Sequence, residues 1–135
     1  MNSVEYFRNE NDLYAIILRN DYHKDGISFF TEDYLSQQLA YMSHPKGKTI
    51  DPHIHKNIER QVFYTQEVLI IKEGKLKVDF FDDKKKYLDS RILIKGDLIL
   101  LIKGGHGFEV LEDIKMIEVK QGPYLGENDK IRFKK

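Results

Sequence analysis

Short runs of apolar or alternating residues, each ended by turn-forming residues, recur along this 135-residue chain. Residues 75–80 (KLKVDF) show the pattern most clearly, because every second residue is apolar. Successive side chains of a β-strand point to opposite faces, so this alternation predicts a strand with one buried and one solvated face. Similar runs lie at residues 13–18, 27–30, 38–42, 68–71, 76–81, 87–94, 98–102, 108–111 and 114–119. Regular short strands of this kind indicate an all-β sandwich or barrel.

The residues between these runs predict how the strands are connected. Glu73-Gly74 lies between two runs and predicts a tight hairpin, because glycine adopts a positive φ at little cost. The polar residues 82–86 predict the next hairpin loop. Residues 31–39 are the one stretch with a helical option, in which Thr31 would cap a single short turn.

Bulk composition narrows the classes of partner. A chain of this length is expected to form a single domain over residues 1–135. Lys and Arg balance Asp and Glu at 22 each, so net charge does not indicate a nucleic-acid partner. The chain has no cysteine, no visible signal peptide and no run near the roughly 20 apolar residues of a membrane helix. We therefore expect a cytoplasmic protein without a membrane partner.

Two histidines separated by one residue, His53 and His55, are the first residues that indicate a functional site. On a strand, positions i and i+2 share a face, so two imidazoles can converge on one ion. The pair follows Gly47 after five residues and precedes Glu67 and then Gly74. A surface loop begun by Asp51-Pro52 is the alternative interpretation of the histidine pair.

A second segment offers another imidazole. Gly96 is followed after five residues by Ile102 and, in the same short stretch, by Gly104 and His106. Together the two segments, within residues 47–107, resemble the paired motifs of the cupin superfamily. That resemblance implies an antiparallel jelly-roll β-barrel. It also implies one metal ion in the barrel mouth, and the expected ligands are His53, His55, Glu67 and His106.

The match departs from the family pattern in three places. Eleven residues separate His55 from Glu67 where the family usually has three or four, Ile102 replaces a usual proline, and His106 comes one residue early. Glu59 lies at the commoner spacing and is the alternative carboxylate ligand. Glu67 is favoured because Gly74 follows it and because its period-two partners are apolar, which predicts an inward face.

Three imidazoles and one carboxylate suit one divalent transition metal, namely Fe, Mn, Ni, Co, Cu or Zn. A six-coordinate ion would keep two positions open for a small-molecule ligand. Glu59 and Tyr64 are candidate catalytic groups for proton transfer. The candidate substrate-binding residues on segments expected near the mouth are Tyr41, Arg60, Gln61 and Gln121.

The resemblance extends to cupins associated with surface-polysaccharide and sugar-nucleotide pathways. It implies a metal-dependent isomerase, epimerase or oxygenase acting on a small oxygen-rich, carbohydrate-like molecule. The alternative is a non-catalytic module that binds metal and ligand. As in similar single-domain cupins, a homodimer is expected, with residues 13–18 as a candidate contact.

Overall fold

The computed structural model describes residues 3–135, and these are almost entirely β-strand and connecting loop. The all-β prediction is confirmed. The strands of the described chain are β1 (Val4–Asn9), β2 (Asp12–Leu18), β3 (Gly26–Phe29), β4 (Ala40–Ser43), β5 (Glu67–Phe81), β6 (Tyr87–Ile94), β7 (Leu98–Leu101) and β8 (Gly105–Lys120), and a 3-10 turn, η1, follows at Gly126–Asp129. Every strand pairing is antiparallel.

The chain forms two compact units. The main unit comprises the described residues up to Tyr22 together with Tyr64–Lys135, and the inserted unit is His23–Phe63. The main unit contains a curled sheet in the order β1-β2-β7-β5-β6, with β8 paired to β5. The inserted unit contains the two-stranded sheet β3-β4. A curled antiparallel half-barrel is therefore established.

Strand β5 is one long strand and not the hairpin that Glu73-Gly74 predicts. Its first part pairs with β7 and its second part with β6, while β8 pairs along its whole length. Gly74 has a φ of +92°, as expected, but it lies where the register between β5 and β8 shifts. A β-bulge bends a strand and increases its twist, so the glycine serves a bend within β5 and not a reversal.

Strand β8 likewise joins two predicted strands into one. The runs at 108–111 and 114–119 both lie within Gly105–Lys120, because the residues between them continue the pairing with β5 through irregular register. The hairpin loop at 82–86 is confirmed, since the Asp82 amide donates to the Lys86 carbonyl at 2.9 Å. Strand β1 was not predicted, because only Phe7 of its six residues is buried and the apolar alternation is weak.

The core of the main unit lies on the inner face of the curled sheet. Leu76, Val78 and Phe80 are buried there as the alternation predicts, and Phe80 stacks on Phe7 with ring centroids 4.3 Å apart. The opposite face of the same run is not fully solvated. Asp79 is only 3% exposed, and the Ser90 hydroxyl and the Lys135 ammonium both donate hydrogen bonds that compensate for the burial of its carboxylate.

Strand β2 is buried within the single chain. Its five residues from Leu13 to Ile17 are buried, and the strand is paired on both edges, with β1 and β7. A contact with another molecule needs exposed surface, so β2 is unsuited to the dimer contact expected for residues 13–18.

Residues 31–39 form a bent loop, and the short helical turn that this stretch could form is not present. Side chains close this loop between β3 and β4. The Thr31 hydroxyl donates to the Gln38 side-chain carbonyl at 2.7 Å, and the Gln38 side-chain amide donates to the backbone carbonyls of Glu32 and Leu35.

Residues 44–63 follow β4 without regular secondary structure. Within residues 3–135, no helix is long and apolar enough to cross a membrane.

Candidate metal centre

Glu67 and His106 come together in the main unit. Glu67 Oε2 lies 3.6 Å from His106 Nε2, and both side chains are largely shielded from solvent. Glu67 is the first residue of β5 and shares its buried face with Leu69 and Ile71, as its period-two partners predict. His106 pairs with Phe80, so it lies on the same inner face as the core. The two predicted ligands of this unit are therefore adjacent.

The curl of β5 makes this approach possible. His106 is opposite Phe80, and a straight strand would separate Phe80 from Glu67, thirteen residues earlier, by about 43 Å. The change of partner from β7 to β6 and the bulges around Gly74 bend β5, so that inward-facing side chains from its two ends meet. The site is thus created by a bend in the backbone and not by neighbouring positions in the sequence.

Glu67 is held in its ionised form. The interaction with the His106 imidazole lowers the pKa of Glu67 below its ordinary value of 4.5 and outweighs the opposing effect of burial. The positive charges of Lys120 and Lys130 lower that pKa further. An ionised carboxylate is the form that coordinates a metal. Lys120 pairs with Glu67 across β5 and β8, and neither lysine was recognised from the sequence.

The spacing of the pair can be compared with that of two ligands on one ion. Metal–ligand bonds of 2.0–2.2 Å place two ligand atoms of a tetrahedral or octahedral ion about 3.0–3.4 Å apart. The 3.6 Å between Glu67 and His106 is close to this separation. Together with the lowered pKa of the carboxylate, this spacing makes the two residues suitable as two ligands of a first-row ion.

His53 and His55 lie in the inserted unit, within the irregular residues 44–63. The expected strand is not present there, so the two imidazoles are not presented by the alternation of a strand. Their rings are nevertheless adjacent, with centroids 5.1 Å apart and planes inclined by 76°. His53 Nδ1 lies 3.0 Å from the backbone carbonyl of Asp51. Both side chains are exposed.

The four predicted ligands thus occur as two pairs, one in each unit. Across residues 3–135, no group of three or more His, Asp or Glu side chains is close enough to hold a metal ion. Only the Glu67–His106 pair, at 3.6 Å, has a measured separation between ligand atoms that is close to that of two ligands on one ion. The set of four ligands remains a prediction.

Most other candidates from sequence lie in the inserted unit. Glu59, Arg60 and Gln61 are exposed in the irregular segment. Tyr41 lies in β4, and its hydroxyl is 3.4 Å from Nδ1 of His23.

Tyr64 and Gln121 belong to the main unit and flank Glu67. Tyr64 precedes Glu67 by three residues, and the Lys103 ammonium lies 5.8 Å from the centre of its ring. The Gln121 amide donates to the Gln66 carbonyl at 2.9 Å, directly beside Glu67. Of the predicted catalytic and substrate-binding residues, these two lie near Glu67, just before the start of β5 and just after the end of β8.

Comparison of the chain with protein families, curated proteins and solved structures found no match.

Proposed function

We propose that the protein is a cupin-like metal-dependent enzyme that acts on a small oxygen-rich molecule of carbohydrate type. The observation that carries the proposal is the Glu67–His106 pair, whose 3.6 Å separation and ionised carboxylate suit metal coordination. His53 and His55, with adjacent rings, are the proposed remaining ligands. The proposed architecture is a jelly-roll barrel with the site in its mouth.

The chemistry follows from the ligand types. A divalent transition-metal ion polarises a carbonyl or hydroxyl oxygen, which supports an isomerase or epimerase reaction, and a redox-active ion supports oxygenase chemistry. Within this proposal, Glu59 and Tyr64 transfer protons. The side chains proposed to bind the substrate's oxygens are Tyr41, Arg60, Gln61 and Gln121. A cytoplasmic homodimer belongs to the same proposal.

Metal content distinguishes the proposed ligands from an ordinary histidine. Purified protein without an affinity tag should carry about one equivalent of a first-row transition metal by elemental mass spectrometry. His53→Ala should lose most of this metal. His23→Ala is the matched control, because His23 is exposed and interacts with Tyr41 and Asp25 in its own unit. Equal metal content in the two variants would contradict the ligand assignment.

The enzymatic part of the proposal has its own test. Metal-loaded protein should convert a nucleotide sugar or a related keto-sugar, and Glu59→Gln or Tyr64→Phe should reduce kcat without removing the metal. Proton transfer by one positioned group contributes about 10²–10⁴-fold to a rate, so a reduction of that size is expected for the true participant. Saturable ligand binding with no conversion would assign the protein to the non-catalytic binding modules.

A further inference from the structure

The C-terminal segment, residues 126–135, contacts the rest of the main unit at separate points. Most of its side chains are exposed, but Asp129 and Phe133 are partly buried. Each of these two residues contacts a strand end next to a proposed metal ligand. Three residues separate Asp129 from Phe133. The first of them, Lys130, has an extended backbone, and no helix follows η1.

Phe133 contacts the end of the sheet that carries His106. Its ring meets the Phe81 ring edge to face, with centroids 5.1 Å apart. Phe81 pairs with Gly105, and a Cβ added to Gly105 would lie 3.1 Å from the Phe133 ring. Because neighbouring residues of a strand face opposite sides, Phe133 covers the outer face of Phe81 and Gly105 while His106 occupies the inner face.

Asp129 contacts the end of the sheet that carries Glu67. The Thr65 hydroxyl donates to the Asp129 carboxylate at 2.6 Å, and Thr65 lies two residues before Glu67. The same segment carries Lys130, whose charge acts on Glu67. A third anchor lies farther along, where the Lys135 ammonium donates to the buried Asp79 carboxylate at 2.7 Å.

We propose that residues 129–133 form a brace that holds the starts of β5 and β8 close to each other across the curl, with Asp129 and Phe133 as positioning residues for Glu67 and His106. The mechanical reason is that both ligands are at or next to the first residue of a strand, where pairing frays most readily. The brace ties these two ends to one short segment. Its link to metal binding rests on the proposed function, whereas its effect on the strand ends does not.

Amide hydrogen exchange on the metal-free protein tests the brace directly. Phe133→Ala should increase exchange at residues 104–107, and Asp129→Ala should increase it at residues 65–67, with little change in the middle of β2. Ile131→Ala is the matched control, because Ile131 lies between the two anchors and is 81% exposed. Phe133→Leu should restore most of the protection, because it retains an apolar side chain. Unchanged exchange in both anchor variants would overturn the proposal.

Zinc or cobalt titration of the same variants tests the functional consequence. Substitution of residues that support metal ligands typically lowers metal affinity by about 10–100-fold. We expect a loss in that range for Phe133→Ala and Asp129→Ala but not for Ile131→Ala. Altered exchange with unaltered affinity would refute the positioning role. If the wild-type protein binds no metal, the proposed function fails, and the exchange data still decide whether the brace exists. If Phe133→Ala does not fold, Asp129→Ala and Phe133→Leu carry the test.

Discussion

At the scale of single residues, two buried carboxylates of one strand have different surroundings and different roles. Glu67 and Asp79 both lie in β5, and both are kept ionised by nearby donors and positive charges. Glu67 faces the inner side with His106, whereas Asp79 lies on the outer side with Ser90 and Lys135. The first is a candidate ligand and the second a structural anchor.

The choice between the two candidate carboxylate ligands can be tested by parallel substitutions. Glu67→Gln should lose most of the bound metal, because it removes an ionised, shielded donor beside His106. Glu59→Gln should retain it, since Glu59 is exposed in the irregular segment. Elemental analysis of both proteins provides the measurement. Metal retained in Glu67→Gln but lost in Glu59→Gln would reverse the assignment.

Asp79 gives a prediction about pH and stability. Burial raises the pKa of Asp79, but hydrogen bonds from Lys135 and Ser90 outweigh this effect and hold it below the ordinary value of 3.8. The resulting stabilisation is present at pH values above 3.8 and is lost as the pH falls toward the folded-state pKa. Asp79→Asn should therefore lower the free energy of unfolding by about 1–3 kcal/mol at pH 7, and by less at pH 3.

Urea denaturation at the two pH values checks this expectation. Asp113→Asn is a suitable control, because Asp113 is exposed in β8 and should change the unfolding free energy little. A destabilisation of Asp79→Asn that is equally large at pH 3 would show that the replacement of an acceptor oxygen by an amide donor, and not the loss of charge, determines the effect.

At the scale of elements, the positions of most strands could be predicted, but the places where strands begin and end could not. Local alternation located β2, β3, β4, β6 and β7 to within a few residues. The same reasoning divided β5 at Gly74 and β8 near Glu112, because a bulge and a hairpin both favour residues that interrupt the apolar pattern. Only the pairing partners distinguish the two outcomes.

Gly74 therefore gives a prediction about the bend in β5. A Cβ at this position would lie 2.1 Å from the backbone carbonyl oxygen of Asp113, in addition to the strain of a φ of +92°. Gly74→Ala should lower the free energy of unfolding by more than the about 1–2 kcal/mol expected for a left-handed backbone alone. Gly47→Ala is the matched control, because Gly47 has a φ of +94° but open space around it. Equal losses in denaturant unfolding would argue against the close approach of β8 to the bend.

At the scale of the whole molecule, metal binding should be visible as added stability. A ligand present at a hundredfold excess over its Kd stabilises the folded protein by about 2.7 kcal/mol, which corresponds to a rise in Tm of roughly 10 °C for a chain of this size. We expect this rise for the wild-type protein with its preferred ion, measured by thermal unfolding.

The variants make that measurement specific. His53→Ala and Glu67→Gln should each lose most of the rise in Tm, whereas His23→Ala should retain it. A full rise in all three variants would place the ion elsewhere in the molecule. A rise lost only in Glu67→Gln would restrict the ligands to the main unit.

The sequence by itself determined the all-β class, the inward faces of Glu67 and Leu76, and the residue types of the candidate metal site. These properties follow from the two-residue period of a strand and from ligand chemistry, both of which act over a few neighbouring positions. Tertiary structure alone decided that β5 bends, that Glu67 meets His106, that Asp79 is buried, and that residues 129–133 bridge two strand ends. Each of these depends on contacts between residues far apart in the chain, which local periodicity does not encode.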